Sequence, residues 1–254
     1  MLTTPQFSGL QGPARDLLLE RLKKTRTRIA SAASRYGRAP ESVGLVGIAK
    51  GHPAEAIAVL AEAGLRDFGE NYLQEALPKL AALAPLTERH GLTWHFTGQI
   101  QANKTRPIAE HFHWVHTLDR EKIAIRLNDQ RPHYAPPLQV CIQVRLVDEP
   151  GKGGVTPEEL PALARTVSGL PRLCLRGLMC LPPPSESFDT QRARFEQLAR
   201  YREALNAQGW ALDTLSMGMS DDLEAAVAAG ATWVRIGTAL FGERRPPGGQ
   251  TPLA

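Results

Sequence analysis

The chain has 254 residues, a net charge of +4, and a composition that is 43% hydrophobic and 22% charged. That is the profile of a soluble globular protein, and the length suits one α/β barrel. It argues against a membrane span, which needs ~20 consecutive apolar residues. It also argues against nucleic-acid binding through a clustered basic stripe, because no basic run is longer than Lys23-Lys24 or Arg244-Arg245.

The first predicted element is an amphipathic helix over 13–36, where Leu18, Leu22, Ile29 and Ala33 recur at helical spacing. Residues 1–12 are expected to be a flexible start. They lack a basic end followed by an apolar run, so no secretory signal is read there. Alternation then begins. Strands are predicted at 45–49, 66–68, 93–97, 114–117, 138–145, 174–181, 214–217 and 233–236. Helices are predicted between them at 54–63, 71–83, 104–112, 120–129, 157–168, 191–208 and 221–229, with Pro157 in a first turn. A short closing segment follows the last strand. Eight strand–helix units favour a closed parallel (β/α)8 barrel, a TIM barrel, over 13–242, preceded by one extra helix. The Pro- and Gly-rich residues 243–254 are expected to be a disordered tail. Cys141, Cys174 and Cys180 lie in strand-like runs without metal-ligand spacing, which reads as reduced thiols in the cytoplasm.

The chemistry collects at strand ends. In "LVGIAKGHP" an apolar strand runs into Lys50, then into the breakers Gly51, His52 and Pro53. An amine at the edge of an apolar barrel loses hydration, which lowers its pKa and favours attack on carbonyls. The alternative is a surface salt bridge. "SMGMSDD" after the seventh strand and "RIGTALFG" after the eighth offer Met219, Ser220, Gly237 and Thr238 as a phosphate cradle, where this fold commonly carries one. Asp221 and Asp222 suit a helix start and should point away from an anion. A lysine beside a phosphate site suggests a Schiff base with a phosphorylated aldehyde, either pyridoxal 5'-phosphate or a sugar phosphate. Arg235, two residues before Gly237, faces the barrel mouth. On a pyridine nitrogen it would keep that nitrogen unprotonated and weaken the electron sink. Its alternative role is pairing with a buried carboxylate such as Glu70.

Five segments join the lysine segment to complete the picture: "DFGENYLQEA" (67–76), "WHFTGQIQANK" (94–104), "WVHTLDR" (114–120), "RGLMCLP" (176–182) and, over 214–242, the long "TLSMGMSDDLEAAVAAGATWVRIGTALFG". With these the chain resembles the pyridoxal phosphate homeostasis proteins, the YggS/PROSC-like family, in register from 45 to 242. The resemblance implies the barrel of the alanine racemase N-terminal domain without the second, β-rich domain. It implies that Lys50 carries pyridoxal 5'-phosphate as an internal aldimine, that Met219, Ser220, Gly237 and Thr238 hold the phosphate, and that Arg235 meets the pyridine nitrogen. Asn71 and His95 match pocket-lining positions. The family binds the cofactor and regulates its supply and vitamin B6 balance, without a robust catalytic activity.

Two departures stand out. The family usually places Ser and Thr around the lysine, whereas here they are Ala49 and Gly51, followed by His52. The loop "RLVDEPGKGG" carries Arg145 and Leu146 but keeps Lys152, read as a secondary cofactor or transfer contact. Racemisation needs a second acid/base opposite the lysine. The four tyrosines are Tyr36, Tyr72, Tyr134 and Tyr201, and Tyr72, nearest a strand end, is expected to be a packing residue. The leading expectation is therefore a monomeric, cytoplasmic carrier that releases the cofactor to free amino acids or to cofactor-requiring apo-enzymes. A weak amino-acid racemase comes second. A binding barrel in which Lys50 is incidental comes third.

Overall fold

The computed structural model describes residues 10–148 and 153–243. Lys152, most of the expected flexible start and nearly all of the expected tail lie outside the described residues. Eight parallel strands close into a barrel in sequence order: β1 Gly44–Ile48, β2 Asp67–Glu70, β3 Thr93–Phe96, β4 Trp114–Leu118, β5 Leu138–Gln143, β6 Leu173–Met179, β7 Thr214–Ser216 and β8 Trp233–Ile236. The β1–β8 pairing, Leu45 opposite Val234, completes the ring. The fold is the expected TIM barrel.

Helix α1, Pro13–Arg35, precedes the barrel. Its buried residues Leu18, Leu22, Thr25, Ile29, Ala32 and Ala33 form one stripe at steps of three and four. Each fully buried Leu or Ile contributes roughly 1.5–3 kcal/mol of hydrophobic stabilisation. The outer layer continues with α2 Ala54–Glu62, α3 Leu73–Ala82, α4 Ala84–His90, α5 Thr105–His111, α6 Glu121–Gln130, α7 Leu160–Ser168, α8 Phe188–Asn206, α9 Leu223–Ala228 and α10 Thr238–Phe241. α10 has four residues, too few to cover the flank of β8. α1 packs on α2, α9 and α10, so it fills the place of an eighth outer helix. Arg38 ties its end to the Val227 and Ala231 carbonyls.

Three predicted elements differ. The helix expected over 71–83 is α3, which stops at Leu83, and a further helix that was not expected, α4, starts directly after it with Pro85 in its first turn. Pro157 lies in a turn, and α7 starts at Leu160 with Pro161 in its first turn. Ser187 caps α8 by accepting the Thr190 N–H, which starts that helix three residues early.

The main core fills the space between strands and helices. Inside the barrel, Trp114, Cys141 and Met179 form a smaller apolar cluster. Trp114 meets Trp233 edge-on at 6.1 Å near the floor, and the Arg176 guanidinium lies 5.1 Å from the Trp114 ring. Gly44 lets the Trp233 ring in: a Cβ there would come within 2.3 Å of it.

Candidate functional site

The strand ends open into a cavity of about 580 Å³. Lys50 lines it, two residues past β1. Its turn is held from three sides. The Ala49 N–H donates to the Gly69 carbonyl at 2.9 Å. The Ala49 carbonyl accepts from Lys79 Nζ at 2.9 Å. Gly51 has a left-handed φ of 73° and donates its N–H to Glu75 Oε2 at 2.8 Å. His52 also lines the cavity and stacks on Phe241 at 5.0 Å.

The loops after β7 and β8 form the adjoining wall, since β8 pairs with β1. Met219, Ser220, Gly237 and Thr238 all line it. Ser220 Oγ accepts the Ala239 N–H of α10 at 3.4 Å. Gly218, at φ 95°, makes the turn, and a Cβ there would lie 2.5 Å from the Ala226 Cβ. Asp222 behaves as expected, turning back to accept the Met219 N–H at 2.6 Å. Asp221 lies at the rim of the cavity. The negative rim is offset by Arg28 of α1, which lines the same wall. Arg28 pairs with both oxygens of Glu224 at 2.9 and 2.8 Å and donates to the Ser220 carbonyl at 3.1 Å. The sequence reading missed Arg28, since it lies outside the strand–helix alternation.

Arg235 lines the base of the cavity and is 4% exposed. It does not pair with Glu70. Its Nη1 donates to Ser216 Oγ at 2.8 Å and its Nη2 to the Cys180 carbonyl at 3.0 Å. Burial lowers its pKa from the ordinary value, yet a guanidinium stays protonated. Burial pushes the Cys141 and Cys180 thiols up to about 12, so both are neutral and inert.

Asn71 lines the wall, with its Oδ1 accepting from Thr97 Oγ1 at 2.9 Å. Asn71, Thr97, Leu181 and Met219 also border a second chamber of about 420 Å³ under the loop at 182–184, where Gln143 and Arg145 lie.

His95 does not line either chamber. It is fully buried one layer below the mouth, bonded to Asp67 at 3.0 Å and to His116 at 2.9 Å. Side chains two apart on a barrel strand share a face but occupy successive layers. The residue of this strand that reaches the cavity is Thr97, two positions on. Tyr72 is likewise not a packing residue. It is 55% exposed at the start of α3 and lines neither chamber.

The alanine racemase N-terminal domain family matches residues 21–245. A Pseudomonas aeruginosa protein named pyridoxal phosphate homeostasis protein is 58% identical over 227 residues, 89% of this chain and 96% of its own. The Escherichia coli K12 protein of the same name is 50% identical over 223 residues, 88% of this chain and 95% of its own. The chain belongs to the pyridoxal phosphate homeostasis protein family. PipY of Synechococcus elongatus, solved with pyridoxal phosphate (PLP) bound, superimposes with a TM-score of 0.78 at 38% identity. The match covers 89% of this chain and all of PipY. Alanine racemase from Corynebacterium glutamicum shares the fold at 14% identity and a TM-score of 0.66, covering 93% of this chain and 64% of the racemase.

Proposed function

We propose that this chain binds PLP at Lys50 as a reversible Schiff base and serves intracellular PLP and vitamin B6 homeostasis, with little or no catalysis of its own. One observation carries the reading: Lys50, Arg235 and the Ser220–Thr238 wall converge on a single cavity. The residues present fit the cofactor. Ser220, Thr238 and the start of α10 offer donors to a phosphate, with Arg28 adding positive charge. The permanently protonated Arg235 is a donor that leaves a pyridine nitrogen without a proton of its own. PLP supplies an aldehyde that a lysine amine captures with loss of one water, and it gives this aldehyde up again to a competing amine. The second chamber opens on the same mouth and offers room for such an amine, from a free amino acid or the lysine of an apo-enzyme.

A cytoplasmic carrier fits the chain's thiol chemistry. All three cysteines are free thiols, and among the described residues no helix is long and apolar enough to cross a membrane.

A weak PLP-dependent racemase is the second reading. It needs a proton donor across the ring from Lys50. None of the four tyrosines lines the cavity. His52 does line it, but its backbone lies in the Lys50 turn and its ring is stacked on Phe241.

The deciding experiment is the visible spectrum of the full chain with added PLP, beside Lys50→Ala, before and after borohydride. The expected result is a yellow band in the wild type, absent from the variant and fixed by reduction as a peptide modified at Lys50. A colourless wild type, or an unchanged band in Lys50→Ala, would overturn the assignment. Turnover of D- or L-alanine by the loaded protein would favour the second reading.

A further inference from the structure

A line of hydrogen bonds runs down the inside of the barrel from Arg235. Arg235 Nη1 meets Ser216 Oγ at 2.8 Å. Ser216 Oγ lies 2.6 Å from His116 Nδ1. His116 Nε2 lies 2.9 Å from His95 Nδ1, and His95 Nε2 lies 3.0 Å from Asp67 Oδ1. Ser216, His116 and His95 have no exposed surface. Trp114, stacked on His95 at 5.7 Å, and Trp233, tilted against it at 5.5 Å, pack beside the line. Asp67, whose side chain is 23% exposed, borders a separate cavity at the floor. The line therefore spans the barrel from the functional mouth to its opposite end.

Its polarity follows from proton counting. A guanidinium donates and never accepts, an ionised carboxylate accepts and never donates, and a neutral imidazole does one of each. Asp67 must therefore receive the His95 Nε2–H. His95 Nδ1, left without a proton, must receive the His116 Nε2–H. His116 Nδ1 must in turn receive the Ser216 hydroxyl proton. Ser216 keeps its lone pairs for Arg235. With the guanidinium proton, four protons fill four contacts, and every donation points from Arg235 toward Asp67. The opposite polarity would set His95 Nε2 and Asp67 as two facing acceptors.

We propose that Ser216, His116, His95 and Asp67 form a one-way hydrogen-bonded tether that positions Arg235 in the cofactor pocket and carries the counter-charge of Asp67 to it through the barrel. His95 and His116 are positioning residues that do not touch the cofactor. Chains of this kind polarise cooperatively in a low-dielectric interior. The tether orients and does not deliver protons, because it ends in a guanidinium. It thereby holds Arg235 as a fixed donor on the pyridine nitrogen. This role rests on the PLP reading above, whereas the polarity of the tether does not.

Two measurements separate these claims. In the full-length protein without cofactor, ring ¹⁵N NMR at pH 7.5 should show His95 and His116 both neutral and both protonated on Nε2. Either ring protonated on Nδ1, or carrying two protons, would overturn the tether whatever the protein binds. In the loaded protein, Ser216→Ala should weaken PLP binding about tenfold, as expected for removing one charge-assisted bond from the anchoring group. It should also shift the visible absorption maximum. Ser216→Thr, which keeps the hydroxyl, should restore both. Asp67→Asn can still accept from His95 but lacks the charge, and should reproduce part of the shift. A folded Ser216→Ala with unchanged affinity and spectrum would overturn the positioning role. A wild type that takes up no PLP at Lys50 would overturn that role too, along with the PLP reading, and would leave the NMR result to decide the tether.

Discussion

Lys79 Nζ sits 2.7 Å from Glu70 Oε1, a carboxylate with no exposed surface, and also holds the carbonyl oxygen of Ala49 at 2.9 Å. One ammonium thus joins the end of β2 to the residue before Lys50. Burial raises the Glu70 pKa, and the Lys79 charge works against that rise. Glu70 Oε2 has no partner in the described structure, so the carboxylate depends on Lys79. Lys79→Met should leave a buried charge uncompensated and cost about 3–5 kcal/mol. It should also loosen the Lys50 turn and weaken PLP binding. The double variant Glu70→Gln with Lys79→Met should recover most of the stability but not the binding. Urea denaturation and PLP titration of the three proteins check this. Equal recovery of both properties would mean that the pair is structural only.

Arg28 reaches the cavity from a helix that precedes the whole barrel. Its guanidinium joins Glu224 to the Ser220 carbonyl, and it is about two-fifths exposed. A part-exposed ion pair contributes at most about 1 kcal/mol. Arg28→Ala should therefore leave the melting temperature almost unchanged while raising the dissociation constant for PLP by roughly fivefold, the equivalent of about 1 kcal/mol. The deficit should be smaller for pyridoxal, which lacks the phosphate. Equal losses for both ligands would place Arg28 outside the phosphate end.

Much of the barrel was legible because its signals are local. The 233–236 strand matches to the residue, and every other strand matches within three residues at each end. Apolar strand runs and helical spacing are properties of neighbouring residues. Depth along the barrel axis is not. Period-two alternation shows that His95 faces inward, but only the stagger of all eight strands shows that Thr97, not His95, reaches the mouth. The partners of Arg235 were hidden for the same reason. Glu70 was a chemically sound guess, but Ser216 and Cys180 lie beside β8 through β7 and the end of β6, and pairings over such separations leave no sequence pattern. Arg28 and Ser220 are 192 positions apart and meet because α1 fills the place of the missing outer helix.

Gly98 gives a test of the mouth's tolerance. A Cβ at this position would lie 2.0 Å from the Asn71 backbone oxygen, far inside any real contact. Gly98→Ala must push Asn71 and with it Thr97, whose hydroxyl it binds. Overpacking of this kind costs about 1–3 kcal/mol. We expect lower thermal stability and weaker PLP uptake together. Gly169→Ala is the control, since its Cβ would meet nothing nearer than 3.5 Å and its φ is −82°. It should change stability by no more than about 0.5 kcal/mol. Matching behaviour of the two variants would show that Asn71 moves freely.

Acid should destabilise this fold earlier than its carboxylates alone would require. His95 and His116 are held below the ordinary imidazole value of 6.5 chiefly by burial. Asp67 partly offsets the effect at His95, while His95 and Arg235 deepen it at His116. His113 shifts the same way, through burial and then Arg131. As pH falls below 6.5 the unfolded chain takes up these protons and the folded chain does not. The unfolded state then binds more protons, so stability falls with pH. Each of the two fully buried imidazoles contributes up to about 1.4 kcal/mol per pH unit until its own folded value is reached. Glu70 acts in the opposite sense. Its folded pKa lies above 4.5, so it favours the folded state in acid and loses that contribution as pH rises through the window above 4.5. Urea midpoints at pH 7.5, 6.5 and 5.5 should therefore decline in that order, with the steeper drop in the second interval. A rising series would mean that the imidazoles are charged in the folded protein and that, at His95, Asp67 outweighs burial.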